Sequence, residues 1–125
     1  MKTVLYIEDN QEIIEIITLL LAKSDYQLLT QIDASKAVDM CLQKNPDLVL
    51  VDINMPEMNG IEVTQKLRNA GFSNPIIMLT ASESPEDKKQ ARAAGCNDYI
   101  LKTLDMHNVR AIIDDYLGEM GELIH

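Results

Sequence analysis

Three carboxylates, a hydroxyl and an ammonium close four apolar segments of this chain: Glu8 and Asp9 the first, Asp52 the second, Thr80 the third and Lys102 the fourth. Singly, each has an ordinary explanation, because an acid at a strand end often caps the next helix and a lone Thr or Lys after an apolar run means little. On one rim they form a more demanding set. Crowded carboxylates raise one another's pKa unless a cation offsets them. Mg²⁺ does so with oxygen ligands in near-octahedral geometry while keeping several waters, so two carboxylates and a carbonyl are an adequate protein contribution. The same set suits a phosphoryl group in transfer, which needs an oxygen nucleophile in line, a metal to neutralise equatorial charge and donors for the remaining oxygens. Asp52 would attack phosphorus and become an acyl phosphate, with Lys102 supplying a point charge and Thr80 a hydroxyl.

Such a meeting requires a fold that gathers residues spread from position 8 to position 102. Short runs of aliphatic and β-branched residues recur, each followed by a segment with helical spacing, which is the pattern of a parallel sheet covered by helices. The strands are predicted over Thr3–Ile7, Gln27–Ile32, Asp47–Val51, Pro75–Leu79 and Asp98–Leu101. VLYI, LVLV and IIML are almost unbroken apolar stretches, as strands buried on both faces require, whereas Gln27, Thr30 and Gln31 mark the second strand as an edge. Helix starts are expected at Asn10, Asp33, Asn59 and Ser84, the last followed by Pro85, Glu86 and Asp87, and a fifth helix near Asp105 that ends by Gly118. The first helix should bury Ile13, Ile16, Ile17, Leu20 and Leu21, leaving Ile14 and Leu19 at or beyond the margin. Five βα pairs with right-handed crossovers predict an α/β fold, an open, doubly wound, five-stranded parallel sheet with ligands beyond the carboxyl ends of its strands.

Composition narrows the function classes. At 125 residues and 46% apolar the chain is expected to form one domain over residues 1–125. No apolar run approaches the ~20 residues of a membrane span, and no signal-peptide pattern precedes the first strand, so a soluble cytoplasmic protein is expected. Eleven Lys and Arg against twenty Asp and Glu leave a net charge of -9, which argues against direct nucleic-acid binding. Cys41 and Cys96 have no second metal-ligand pair near them and are expected as reduced, buried thiols. Met40, Met78 and Met106 are expected as core filler, and His107 and His125 as surface residues.

E-D after the first strand, V-D-I-N-M-P-E-M-N-G around the third, L-T-A after the fourth and D-Y-I-L-K at the fifth together resemble response-regulator receiver domains of two-component signalling. The likeness covers essentially the whole chain. Any one motif is weak, but the ordered combination, spaced 28 residues from Asp52 to Thr80 and 22 from Thr80 to Lys102, is specific. It implies a flavodoxin-like fold with strand order 2-1-3-4-5, in which Asp52 accepts phosphate from a phosphohistidine on a sensor histidine kinase or a histidine phosphotransfer protein. Mg²⁺ would be held by Asp9, Asp52 and the Asn54 carbonyl, with Glu8 acting mainly through a metal-bound water. Met55-Pro56 and Gly60 match the family's loop after the acceptor, and Asn54 and Ser82 would flank the path of the hydrolytic water. On phosphorylation Thr80 would move toward a phosphoryl oxygen, Tyr99 would rotate inward, and the surface of helix four, strand five and helix five would change to control a downstream protein partner or an effector domain. The first helix, beside the acceptor, is where the phosphodonor's helices would pack. Self-phosphorylation and self-dephosphorylation would be the domain's only chemistry.

One position departs from the family. Thr103 follows Lys102, where receivers usually have proline after a cis bond; such a bond before a non-proline residue costs about 2.5 to 4 kcal/mol, so Lys102-Thr103 is expected to be trans. Two other functions compete with the leading one. A phosphorylation-independent adaptor would keep the fold without using the site. An aspartate-nucleophile phosphatase of the haloacid-dehalogenase kind would need a second Asp two residues after the nucleophile, and Asn54 stands there.

Overall fold

The computed structural model describes residues 1–22, 24–56, 58–81, 84–102 and 108–118. Strands and helices alternate as β1 (Thr3–Ile7), α1 (Gln11–Leu21), β2 (Gln27–Gln31), α2 (Ala34–Lys44), β3 (Leu48–Asp52), α3 (Gly60–Asn69), β4 (Ile76–Thr80), α4 (Pro85–Ala94), β5 (Asp98–Leu101) and α5 (Val109–Leu117). The five strands form one parallel sheet in the order β2-β1-β3-β4-β5. β1, β3 and β4 carry the unbroken apolar runs because helices cover both their faces, while β2 at the edge has only exposed and half-buried residues.

Burial divides by face, as period-2 alternation dictates. Val4, Tyr6, Leu48, Leu50, Ile77, Leu79 and Ile100 pack with Ile14, Ile17 and Leu21 of α1 and Val109, Ile113 and Leu117 of α5. Leu5, Ile7, Val49, Val51, Ile76 and Met78 pack on the opposite side with Ala34, Ala37 and Cys41 of α2, Val63 and Leu67 of α3, and Ala91 and Ala94 of α4. The chain is therefore wound on both sides of the sheet, and crossing from one side to the other leaves a crevice at the carboxyl ends of β1 and β3. Among the described residues no helix is long and apolar enough to cross a membrane.

Local capping chemistry sets the helix starts. The side chain of Asn10 accepts from the Glu12 and Ile13 amides, Asp33 from Ser35 and Lys36, Asn59 from Glu62, and Ser84 from Asp87. Asn108 precedes α5 without a side-chain cap, and the expected start at Asp105 lies outside the described residues. Met106, His107, Ser82 and His125 lie outside them too. Cys41 and Cys96 are free thiols, but only Cys41 is fully buried, and burial pushes its pKa up to about 12. Met78 is buried and Met40 half-buried in the α2/α3/α4 cluster.

The first helix departs from its expected orientation. Ile14 is buried and Ile16 is 45% exposed, the reverse of the sequence-based assignment, whereas Leu19 is 76% exposed as expected. At 100° per residue the centre of the buried arc is turned by about 60° toward Ile14. The apolar positions of α1 span about 220° of its circumference, wider than one buried face, so its periodicity leaves the inward face loosely defined and contact with α5 chooses.

Arg68 ties the amino-terminal edge of the sheet. Its guanidinium donates to the carbonyls of Gly95 at 3.0 Å, Phe72 at 2.7 Å and Asn74 at 2.9 Å, and to Asn97 Oδ1 at 2.8 Å. Arg68→Ala would strand several of these acceptors and is expected to cost about 3 kcal/mol in urea unfolding. Arg68→Lys should recover little, because one ammonium cannot reproduce the planar fork.

Candidate functional site

The residues at the carboxyl rim owe their places to the ladder. Ile53 N–H donates to Leu79 O at 2.9 Å and Lys102 N–H to Thr80 O at 2.6 Å, so pairing runs to the ends of β3, β4 and β5. Asp52 and Thr80 accordingly belong to their strands rather than following them. Glu8, Asp52 and Thr80 are buried, Lys102 is half-buried, and Asp9 is exposed.

Lys102 joins the two buried acids. Its Nζ lies 3.0 Å from Glu8 Oε1 and 2.9 Å from Asp52 Oδ1. Asp52 Oδ1 also accepts from the Asn54 amide at 3.1 Å, so two donors on one oxygen restrain the carboxylate. Glu8 Oε1 likewise accepts from the Tyr6 hydroxyl at 2.9 Å, while Oε2 faces the Asn10 amide at 3.5 Å. Carboxylate oxygens of Glu8, Asp9 and Asp52 all lie within 4.8 Å of one another. Three carboxylates and one ammonium leave the notch short of positive charge when all are ionised. Oxygen-only donors at this spacing fit a hard divalent cation.

Electrostatics follow from this packing. Burial first, and the neighbouring Asp52 second, raise the Glu8 carboxyl to about 7 against the opposing pull of Lys102. Burial alone would lower Lys102, but its bonds to Asp52 and Glu8 outweigh that and hold the ammonium above its ordinary value. Tyr6 is driven far upward by burial and by the Glu8 carboxylate, so it serves as a donor.

The acceptor loop is shaped by close approach. A Cβ at Gly60 would stand 2.5 Å from the Asp52 carbonyl oxygen and 3.0 Å from Ile53 Cα, both backbone atoms. The glycine serves by lacking a side chain rather than by a positive φ, which among the described glycines is found at Gly71 and Gly95. Gly60→Ala should therefore push α3 off the acceptor loop, lowering stability by about 2 kcal/mol and slowing any reaction at Asp52; unaltered unfolding and labelling would contradict this.

Tyr99 is half-buried against the α2/α3/α4 cluster, with Lys88 Nζ of α4 5.7 Å from its ring centroid. Asn54 is exposed after β3. Thr103 lies outside the described residues, and with it the Lys102-Thr103 bond. Sequence reasoning missed Tyr6: an aromatic inside VLYI looks like core, although its position two residues before an acid on the same strand face was a usable clue.

Residues 4–114 match the family model described as the response regulator receiver domain. The chain is 39% identical over 103 residues to the transcriptional regulatory protein RstA of Escherichia coli, a match covering 82% of this chain and 43% of RstA. It is 32% identical over 120 residues to the polar-differentiation response regulator DivK of Brucella abortus, covering 94% of this chain and 98% of DivK. The chain thus spans under half of one relative and nearly all of the other. Among solved structures, the BeF3-activated receiver domain of Klebsiella pneumoniae RstA superposes with a TM-score of 0.86 at 28% identity, covering 94% of this chain and all of that one.

Proposed function

The chain belongs to the response regulator receiver domain family of two-component signalling, and from this we propose that Asp52 accepts a phosphoryl group from a phosphohistidine of a histidine kinase or histidine phosphotransfer protein. We read residues 1–125 as one such domain. The observation that carries the proposal is the buried Asp52 carboxylate, held by Lys102 and the Asn54 amide among acids spaced for a divalent ion. A carboxylate oxygen of Asp52 forms the new O–P bond as the N–P bond of the donor breaks, and the departing imidazole nitrogen keeps the electron pair. Asp9, Asp52 and the Asn54 carbonyl, with Glu8 behind them, would hold Mg²⁺, which would supply charge neutralisation for the phosphoryl oxygens. Lys102 gives an ammonium to one phosphoryl oxygen and the Thr80 hydroxyl donates to another.

Capture of the Thr80 hydroxyl is proposed to draw Tyr99 inward and reshape the surface of α4, β5 and α5, which then changes its affinity for a downstream partner or effector. Moving that equilibrium from 1:99 to 99:1 takes about 5.5 kcal/mol. Charge-assisted hydrogen bonds of ~1.5 to 3 kcal/mol each are of sufficient size. Ile16 and Leu19, exposed on α1, offer apolar contacts for the phosphodonor.

The test is incubation with acetyl phosphate and Mg²⁺ followed by intact mass measurement. One hydroxylamine-labile phosphoryl group per chain, lost when the metal is chelated, is expected. No uptake would leave the adaptor as the better account, and rapid repeated turnover of small phosphate esters would favour the phosphatase. Beryllofluoride with Mg²⁺ should shift amide resonances of α4, β5 and α5; an unmoved face would count against the switch.

A further inference from the structure

Tyr6 takes no part in the chemistry above, yet its hydroxyl lies buried in the α1/α5 cluster and is spent on Glu8. Positions 6 and 8 share a face of the extended chain, so the longer glutamate can fold back and meet that hydroxyl at 2.9 Å. An aspartate at position 8 would hold its carboxylate one methylene nearer the backbone, short of Tyr6. Glu8 Oε1 receives both the phenol and, at 3.0 Å, Lys102 Nζ. Two donors converging on Oε1 restrain the rotation of the carboxylate, Oε2 faces the Asn10 amide at 3.5 Å, and Glu8 keeps a carboxylate oxygen within 4.8 Å of those of Asp9 and Asp52.

We infer that Tyr6 is a positioning residue for the acidic notch: its hydroxyl anchors Glu8 Oε1 and thereby sets the orientation in which Glu8 helps to hold the divalent cation. The inference rests on the reading of the notch as a Mg²⁺ site. Groups that orient metal-binding side chains typically govern affinity by tenfold or more. Without the phenol, Glu8 is held on that oxygen by Lys102, which Asp52 also claims, and the carboxylate can swing with the ammonium.

The experiment is calorimetric titration of Mg²⁺ into the unaltered chain, Tyr6→Phe, Glu8→Asp and the double variant, with thermal melting of each metal-free protein alongside. Tyr6→Phe removes one oxygen from a fully packed ring and should melt as a folded protein with Mg²⁺ Kd raised about tenfold. In the Glu8→Asp background, where the partner no longer reaches, the same change should leave Kd within twofold. A Tyr6→Phe Kd equal to that of the unaltered chain overturns the inference, as does an equal weakening in both backgrounds, which would make Tyr6 a packing residue. If the unaltered chain shows no saturable Mg²⁺ binding, the acceptor reading itself falls and takes this inference with it.

Discussion

Asp52→Asn should give a folded protein that gains no hydroxylamine-labile phosphoryl group from acetyl phosphate or a phosphohistidine donor. The carboxamide is nearly isosteric, and its oxygen can still accept from Lys102 and the Asn54 amide, which reach the native Oδ1 at 2.9 and 3.1 Å. It has no anionic oxygen to attack phosphorus. Loss of a nucleophile from a unit that otherwise stays in place removes three or more orders of magnitude of rate, which here means no signal by intact mass. Persistent labelling of this variant, on Glu8 or Asp9 for instance, would refute the assignment.

Lys102→Ala should have the second-largest effect, through stability as well as chemistry. Glu8 and Asp52 are buried and share this one ammonium, so its removal leaves acids without their partner in a poorly solvated notch. Breaking a buried pair costs about 3 to 5 kcal/mol, less whatever is recovered by proton uptake. The pH dependence follows from Glu8, whose pKa already stands at about 7 with Lys102 opposing the rise. An acid whose folded pKa lies above its unfolded value binds more protons when folded, so stability falls as pH rises between the two. In the native protein that window runs from the ordinary carboxylate range to about 7; in the variant, with the opposing charge gone, it extends higher. Urea unfolding at pH 5, 7 and 8 should show the deficit growing to about 3 kcal/mol at pH 8, with Mg²⁺ restoring much of it by replacing the missing positive charge. A deficit independent of pH and metal would mean that Lys102 acts by packing alone.

Much of the frame is legible from short-range chemistry. Asn10, Asp33, Asn59 and Ser84 carry side-chain acceptors that satisfy amides two or three residues on, so the starts of α1 to α4 follow from nearest neighbours. Strand ends are less legible: β3 and β4 begin and finish one residue later than expected, and β2 stops at Gln31 instead of Ile32, because hydrogen bonds from neighbouring strands decide where pairing ceases. The same limit explains α1. Its apolar residues cover an arc wider than one buried face, and whether Ile14 or Ile16 turns inward depends on where α5 lies. Arg68 looks like a solvated helix residue in the sequence, and only the fold brings carbonyls from positions 72, 74 and 95 to its fork.

The amino-acid order by itself determined which elements form, that they alternate, and which side chains terminate the strands at the reactive edge, since periodicity, caps and β-branched runs act over a few residues. Tertiary structure alone decided who touches whom across the notch: that Lys102 is divided between Glu8 and Asp52, that Tyr6 anchors one oxygen of Glu8, and that Gly60 must yield its side chain to the Asp52 carbonyl. The reason is range. Backbone preference is a property of neighbours in the chain, whereas an ion pair between positions 8 and 102 exists only once the sheet has brought their side chains to 3.0 Å.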